Sequence, residues 1–357
     1  MMTGERFKEE TLNWIMQGRL KTPTLLMLIR QASCCIVISL GFMAGRIFAA
    51  EKLIGIHSAR VMSQSMPWIA QEAGLFRKYD LDFRLVYIGS SPLATAAMLG
   101  GDAELLQDGG LGTVRAVVQG NTDLVFIGGI KNILTQSILA KPEIKRLEDL
   151  RGKKVGVTRF GSTTHYFATQ AFRRRGMEAG QDFIFVQTGG APEMLAALIS
   201  GAIDAGTMTA PLDAQAIAQG FHYVVYGPDL RIPQVAASFI TRRSLIATRS
   251  QVLGRFMRSM AEAARILHAE KDFTYKVLGK YLRVIDRKVL DAAYSAEIKV
   301  LEPRLVIRPE ALQGILDDVA QIDPRAKKLQ PEDLIDRRYL DEMEKSGFFE
   351  KLWAEKR

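Results

Sequence analysis

The chain has 357 residues, 48% hydrophobic and 24% charged, with a formal net charge of +9. This is the composition of one large or two medium globular domains and excludes a disordered chain. The basic runs Arg173-Arg174-Arg175 and Arg242-Arg243 are too short for the clustered stripe of a nucleic-acid binder, so no nucleic-acid partner is expected.

The first element is an address. Residues 1–50 hold six Lys/Arg against three Asp/Glu, and within them ASCCIVISLGF (32–42) is preceded by Arg30 and followed by Ala49-Ala50. A charged lead, a short apolar run and a small-residue exit predict a Sec-type signal over 1–50. The run falls short of the about 20 apolar residues that a membrane span needs. Initiation at Met27 gives a more conventional signal, so the expected translation start is there. The mature protein is then expected to be periplasmic or secreted, the alternative being a membrane anchor formed by an uncleaved signal. Cys34 and Cys35 are the two cysteines of the chain and both lie in this segment. Beyond it neither a disulfide framework nor a thiolate metal site is possible. His57, His165, His222 and His268 form no His-x-x-x-His pair. No metal and no cofactor are expected.

From residue 53 strands and helices alternate. LIGIHSA (53–59) reads as a strand, and Pro67-Trp68 opens a helix to Tyr79. LDFRLVYI (81–88) alternates as a strand. Gly89-Ser90-Ser91-Pro92 leads into the helix LATAAML. AELLQ (103–107) is a strand, Asp108-Gly109-Gly110 a turn, GTVRAVVQG a helix and LVFIGGI (124–130) a strand. Residues 144–151 read as a linker helix, and the plan then restarts. KKVGVT (153–158) is a strand, 162–175 a helix and DFIFVQ (182–187) a strand. Gly189-Gly190 precedes the helix EMLAALISG, AIDAGTMT (202–209) is a strand, Pro211 opens LDAQAIAQG, and HYVVYG (222–227) is a strand. MLGGDAELL (98–106) and LISGAIDAG (198–206) are the same helix-to-strand exit in two places. Alternation of this kind predicts two α/β lobes with mainly parallel sheets. After the strand VAASFITRR (235–243), helices are expected at 251–271, 272–282, 287–297, 309–321 and 336–345. The first carries an apolar stripe at 252, 253, 256, 257, 260, 264 and 267.

Ligands of open α/β sheets bind at the carboxyl ends of strands, beside helix N-termini. Each such end here carries small or hydroxyl residues: Ser58, Ser63 and Ser65; Gly89 to Ser91; Asp108 to Gly110; Gly161 to Thr164; Gly189-Gly190; Thr207 to Pro211. Each turn alone reads equally as helix capping. Three in each of two similar lobes predict a clamshell closing on a small molecule. No phosphate loop, dinucleotide turn or nucleophile elbow is present. Asp108, Asp204 and Asp213 read as turn or cap residues ahead of acid/base pairs.

The stretches PWIAQEAGLFRKYDLDFRLVYI (67–88), LEDLRGKKVGVTRFGS (147–162), GGAPEMLAALISGAIDAG (189–206) and DRRYLDEMEKSGFF (336–349) resemble the substrate-binding proteins of ABC importers for aliphatic sulfonates, taurine, nitrate and thiamine-pyrimidine precursors. The resemblance spans residues 52–350. It implies a two-lobed, type II periplasmic-binding α/β fold. Lobe one would be 52–132 plus 238–357 and lobe two 147–237, with hinge strands crossing near 125–132 and 235–241 and a helical C-terminal extension. By motif position the ligand contacts would be Ser58, Ser63, Trp68, Ser90, Ser91, Asp108, Gly109, Gly110, Phe160, Gly161, Ser162, Thr163, Thr164, Gly189, Gly190, Thr209 and Pro211. Arg159 would pair with an anionic ligand or sit as a solvated rim charge; His165 and Tyr166 would line the wall or pack within the lobe. The implied partners are a small polar or anionic organic ligand, captured between the two lobes, and the inner-membrane ABC importer permease that receives it, served by a monomer without catalysis. An alternative is an enzyme of thiamine-pyrimidine precursor metabolism on the same fold. The fungal synthases of that kind use a cysteine-rich motif, which this chain lacks after residue 50. A third reading, the sensor half of a regulator, needs a DNA-binding helix pair where the export signal stands.

Overall fold

Two strand series of the same plan build two five-stranded sheets in the computed structural model, which describes residues 50–354; the segment read as an export signal lies outside the described residues. In the first sheet, β1 (Glu51–His57) lies between β2 (Leu81–Tyr87) and β3 (Leu105–Asp108), parallel to both. Beyond β3 come β10 (Pro233–Arg242) and β4 (Leu124–Ile133), each antiparallel to its neighbour. In the second sheet, β6 (Lys154–Val157) lies between β7 (Ile184–Gln187) and β8 (Ala205–Met208), again parallel. β5 (Ser137–Ala140) and β9 (His222–Val225) complete it, both antiparallel pairings. The chain passes between the sheets twice, from β4 into β5 and from β9 into β10, so each sheet holds one strand contributed by the crossing.

The register shows how closely the lobes correspond. Gly55 pairs with Leu85 and Leu105, and Val155 pairs with Phe185 and Ala205. Carried to the strand ends, Ser58 corresponds to Thr158, Asp108 to Met208 and Ser91 to Ala191. The helix-to-strand exits match as well: Gly101 and Gly201 take the left-handed conformation between helix and strand, which a side chain resists.

Helices cover both faces of each sheet. On lobe one, the long helix α9 (Arg243–Ala269) buries Val252, Leu253, Phe256, Met257, Met260, Ala264 and Leu267, the stripe expected from the sequence. Phe256 packs against Phe83 at 5.2 Å and Phe239 at 5.6 Å between ring centroids. Truncating such a core phenylalanine costs about 3–5 kcal/mol. The other face of that sheet carries α3 (Ser91–Gly100), α4 (Gly110–Val118) and α12 (Pro309–Ala320). The second sheet is clothed by α5 (Thr163–Arg173), α6 (Ala191–Ile199) and α7 (Leu212–Ala218).

Three local expectations change. The helix expected from Pro67 to Tyr79 is two pieces, α1 (Met66–Glu72) and α2 (Leu75–Lys78), because Gly74 between them has a φ of 71°. The linker helix at 144–151 is one 3-10 turn, Leu147–Leu150. β5 has no counterpart in the sequence reading: its four residues are all buried, so no alternation marks them as a strand.

Candidate functional site

Strand ends from both sheets converge on one internal cavity. It is lined by Ser58, Ala59, Val61, Ser63, Gln64, Ser90, Ser91, Asp108, Gly109, Lys131 and Ala236 on the side of the first sheet, and by Gln136, Thr158, Ser162, Thr163, Thr164, Ala191, Thr207, Met208 and Thr209 on the side of the second. About 60 Å³ is open to the centres of water-sized molecules, several times what a single water requires.

Asp108 ends β3 and is fully buried. Its Oδ1 accepts the Ser58 hydroxyl at 2.6 Å and the Ser91 hydroxyl at 2.7 Å. Gln64 Nε2 donates to Ser58 Oγ at 3.0 Å and its Oε1 accepts the Ala59 N–H, which fixes the loop after β1. Burial pushes the Asp108 carboxyl up to about 6; the two serine hydroxyls and the Gly109 N–H pull the other way and only partly offset it. Asp108 Oδ2 has no hydrogen-bond partner within the protein. Ser90 Oγ, Thr207 Oγ1 and Gln136 Oε1, all buried and all on the cavity wall, are in the same condition. Buried polar atoms are nearly always satisfied. This set therefore marks a wall that a bound molecule or water completes.

The second lobe presents the turn 158–165. Ser162 caps α5: its Oγ accepts the His165 N–H at 3.3 Å and donates to the Arg159 carbonyl at 2.7 Å. Thr164 Oγ1 accepts the Thr158 N–H at 2.9 Å. The turn thus caps the helix while its hydroxyl side faces the cavity. At the crossing of the lobes, Lys131 and Glu297 form a buried ion pair at 2.9 Å. Lys131 Nζ also donates to Thr135 Oγ1 at 2.7 Å, and Glu297 Oε1 accepts the hydroxyls of Thr135 at 2.5 Å and Thr209 at 3.2 Å. Glu297 ends helix α11 (Arg287–Glu297) of the first lobe's face, so this network ties both lobes to the crossing segment.

Of the residues singled out from the sequence, Ser58, Ser63, Ser90, Ser91, Asp108, Gly109, Ser162, Thr163, Thr164 and Thr209 line the cavity, and the others lie elsewhere. Trp68 is buried in the lobe-one core, stacked on Tyr281 with ring centroids 5.2 Å apart. Gly110 sits against Ile315 and Val235. Phe160 is 53% exposed. Pro211 precedes α7. Gly161, Gly189 and Gly190 mark the seam where the lobes meet. A Cβ on Gly161 would lie 2.9 Å from Arg115, and one on Gly190 would lie 2.9 Å from the Tyr87 hydroxyl. Gly189 brings its carbonyl to Gly89. Arg159 is not part of the lining. Neither are His165, whose Nδ1 accepts the Gly161 N–H at 3.2 Å, and Tyr166, whose hydroxyl donates to the Asp318 carboxylate across the seam.

Sequence reasoning missed Lys131, Gln136 and Thr158; it placed Thr207 and Met208 in a strand-end turn without naming them as ligand contacts. Lys131 had a signal: it is a charge inside the otherwise apolar strand LVFIGGIKNI, where only a paired charge is stable. Nothing local marks its partner Glu297. Among the described residues, no group of three or more His, Cys, Asp or Glu stands close enough to hold a metal ion, and no helix is long and apolar enough to cross a membrane.

Residues 65–272 match the family model described as NMT1/THI5 like. No curated protein sequence matches. Among solved structures, a protein of Bordetella bronchiseptica RB50 superposes with a TM-score of 0.74 at 20% identity, covering 83% of this chain and 98% of that one. The alkanesulfonate-binding protein SsuA of Xanthomonas axonopodis pv. citri, bound to MOPS, gives 0.67 at 17% identity, covering 81% and 98%. The desulfurization enzyme DszB gives 0.61 at 13% identity, covering 83% and 99%. The two-sheet architecture is the periplasmic-binding-protein fold. The family match takes in strands of both sheets and more than half of the sequence, and the chain belongs to the NMT1/THI5-like family.

Proposed function

We propose that the protein is an extracytoplasmic solute-binding protein that holds a small polar organic molecule between its lobes and passes it to an ABC importer permease. One observation carries this reading: a cavity walled by both lobes, whose buried Asp108 Oδ2, Ser90 Oγ, Thr207 Oγ1 and Gln136 Oε1 have no partner within the protein. Enclosure by two lobes suits capture and release by hinge motion. The likeness to SsuA supports it at the level of fold. Export of the chain by its N-terminal segment, monomeric action and docking to a permease belong to the same proposal.

DszB keeps an enzymatic reading in view, since it catalyses a reaction on the same architecture. In such an enzyme Asp108, held near pH 6, is the group placed to exchange a proton. The test is to purify the full chain without dialysis, denature it and identify the released small molecules by mass spectrometry. Capture predicts a stoichiometric compound that is recovered unchanged after prolonged incubation with fresh protein. Conversion of that compound to a product makes the protein an enzyme.

A further inference from the structure

The charge on the cavity wall belongs to one lobe. Among the described residues, Asp108 and Lys131 are the ionisable side chains that line it. Lys131 is met inside the protein by Glu297 at 2.9 Å and Thr135 at 2.7 Å. Asp108 is met on one oxygen only: Oδ1 takes the hydroxyls of Ser58 and Ser91, while Oδ2, fully buried, takes nothing. The N-terminus of α4, whose dipole favours an anion, is faced here by the chain's own Asp108 carboxylate two residues before it. The positions of the second lobe that correspond to Asp108 and Ser91 are Met208 and Ala191, both apolar and both lining the cavity. Arg159, the cation that could hold an anionic ligand, is not part of the wall.

We propose that the ligand is a compact organic cation, such as an alkylamine or an amidine. Its N–H goes to Asp108 Oδ2 and its apolar part lies against Met208 and Ala191. Simple sulfonates are excluded, because their oxygens would face the same buried carboxylate. This inference rests on the capture reading and names the ligand class for it.

Matched probes of opposite charge test it: acetamidine against methanesulfonate and benzamidine against benzenesulfonate, titrated into the full chain and its Asp108→Asn variant and followed by calorimetry and thermal shift. The amidines should bind and raise the melting temperature of the wild type, and the sulfonates should not. Asp108→Asn should weaken amidine binding by roughly tenfold or more, with an unchanged far-ultraviolet spectrum. Sulfonate binding as tight as amidine binding overturns the inference. So does amidine binding indifferent to Asp108→Asn, or a wild type that takes neither amidine. The two readings fail separately. A retained sulfonic or carboxylic acid recovered unchanged removes the cation and keeps capture. Turnover of a bound amine removes capture and keeps the cation.

Discussion

The two lobes share strand order and register, yet their cavity walls differ at equivalent positions. Lobe one places Ser58, Ser91 and Asp108 in one hydrogen-bonded cluster; lobe two places Thr158, Ala191 and Met208 at the same three points. The backbone plan is indifferent to this exchange, since each position ends a strand or opens a helix in either lobe. What changes is the wall: a half-satisfied carboxylate on one side and a flexible thioether with a methyl on the other. A binding fold built from two similar halves thus acquires direction from a few side chains while keeping symmetric scaffolding.

The tie between the lobes is where the largest effect is expected. Lys131→Met leaves Glu297 as an uncompensated buried charge and should destabilise the protein by about 3–5 kcal/mol, read as a lower urea midpoint. Glu297→Gln in the Lys131→Met background should recover part of that loss. No recovery would mean that the damage is to packing instead of charge.

Next comes the asymmetry itself. The folded chain holds the Asp108 proton more tightly than the unfolded chain, since burial raises the carboxyl from 3.8 to about 6. The stability this group contributes is full below pH 4 and is lost as pH rises through 6. Asp108→Asn should therefore stabilise the unliganded protein at pH 7 by roughly 2–3 kcal/mol and flatten the stability profile between pH 4 and 6. The equivalent change in the other lobe, Met208→Leu, should stay within about 1.5 kcal/mol at every pH. Denaturation at several pH values checks both. Equal profiles for Asp108→Asn and wild type would remove the distinction between the walls.

A smaller effect concerns closure. A Cβ on Gly109 would lie 2.7 Å from Thr163 Oγ1 of the other lobe. Gly109→Ala should hold the lobes apart, at a cost of about 1–3 kcal/mol to the closed form, seen as a larger radius in X-ray scattering. Adding Thr163→Ala should restore the compact form. The smallest effect is at the cap: Ser162→Ala removes one acceptor at the start of α5 and should cost about 1 kcal/mol in thermal denaturation.

Much of the scaffold was legible in the chain. The strand–turn–helix rhythm gave both halves, and the apolar stripe of α9 was read residue by residue. β5 was not, because a four-residue buried strand has no alternating pattern to betray it. Gly74 cut one expected helix into two through its backbone conformation, which the hydrophobic pattern does not encode. The hydroxyl turns were legible as places where a helix begins beside a strand end. Whether a turn residue meets the cavity or the opposite lobe was not: Ser162 and Gly161 are neighbours, yet one lines the cavity and the other faces Arg115.

Local pattern by itself determined the two α/β halves, their turns and the capping of their helices, because those depend on periodicity, backbone freedom and hydrogen bonds between near neighbours. Tertiary structure alone decided that Lys131 meets Glu297, that Trp68 belongs to the core, and that Asp108 keeps one oxygen unpaired. Those outcomes depend on which distant segments share a buried, low-dielectric space. There the cost of an unmet charge is set by partners that residue order does not bring together.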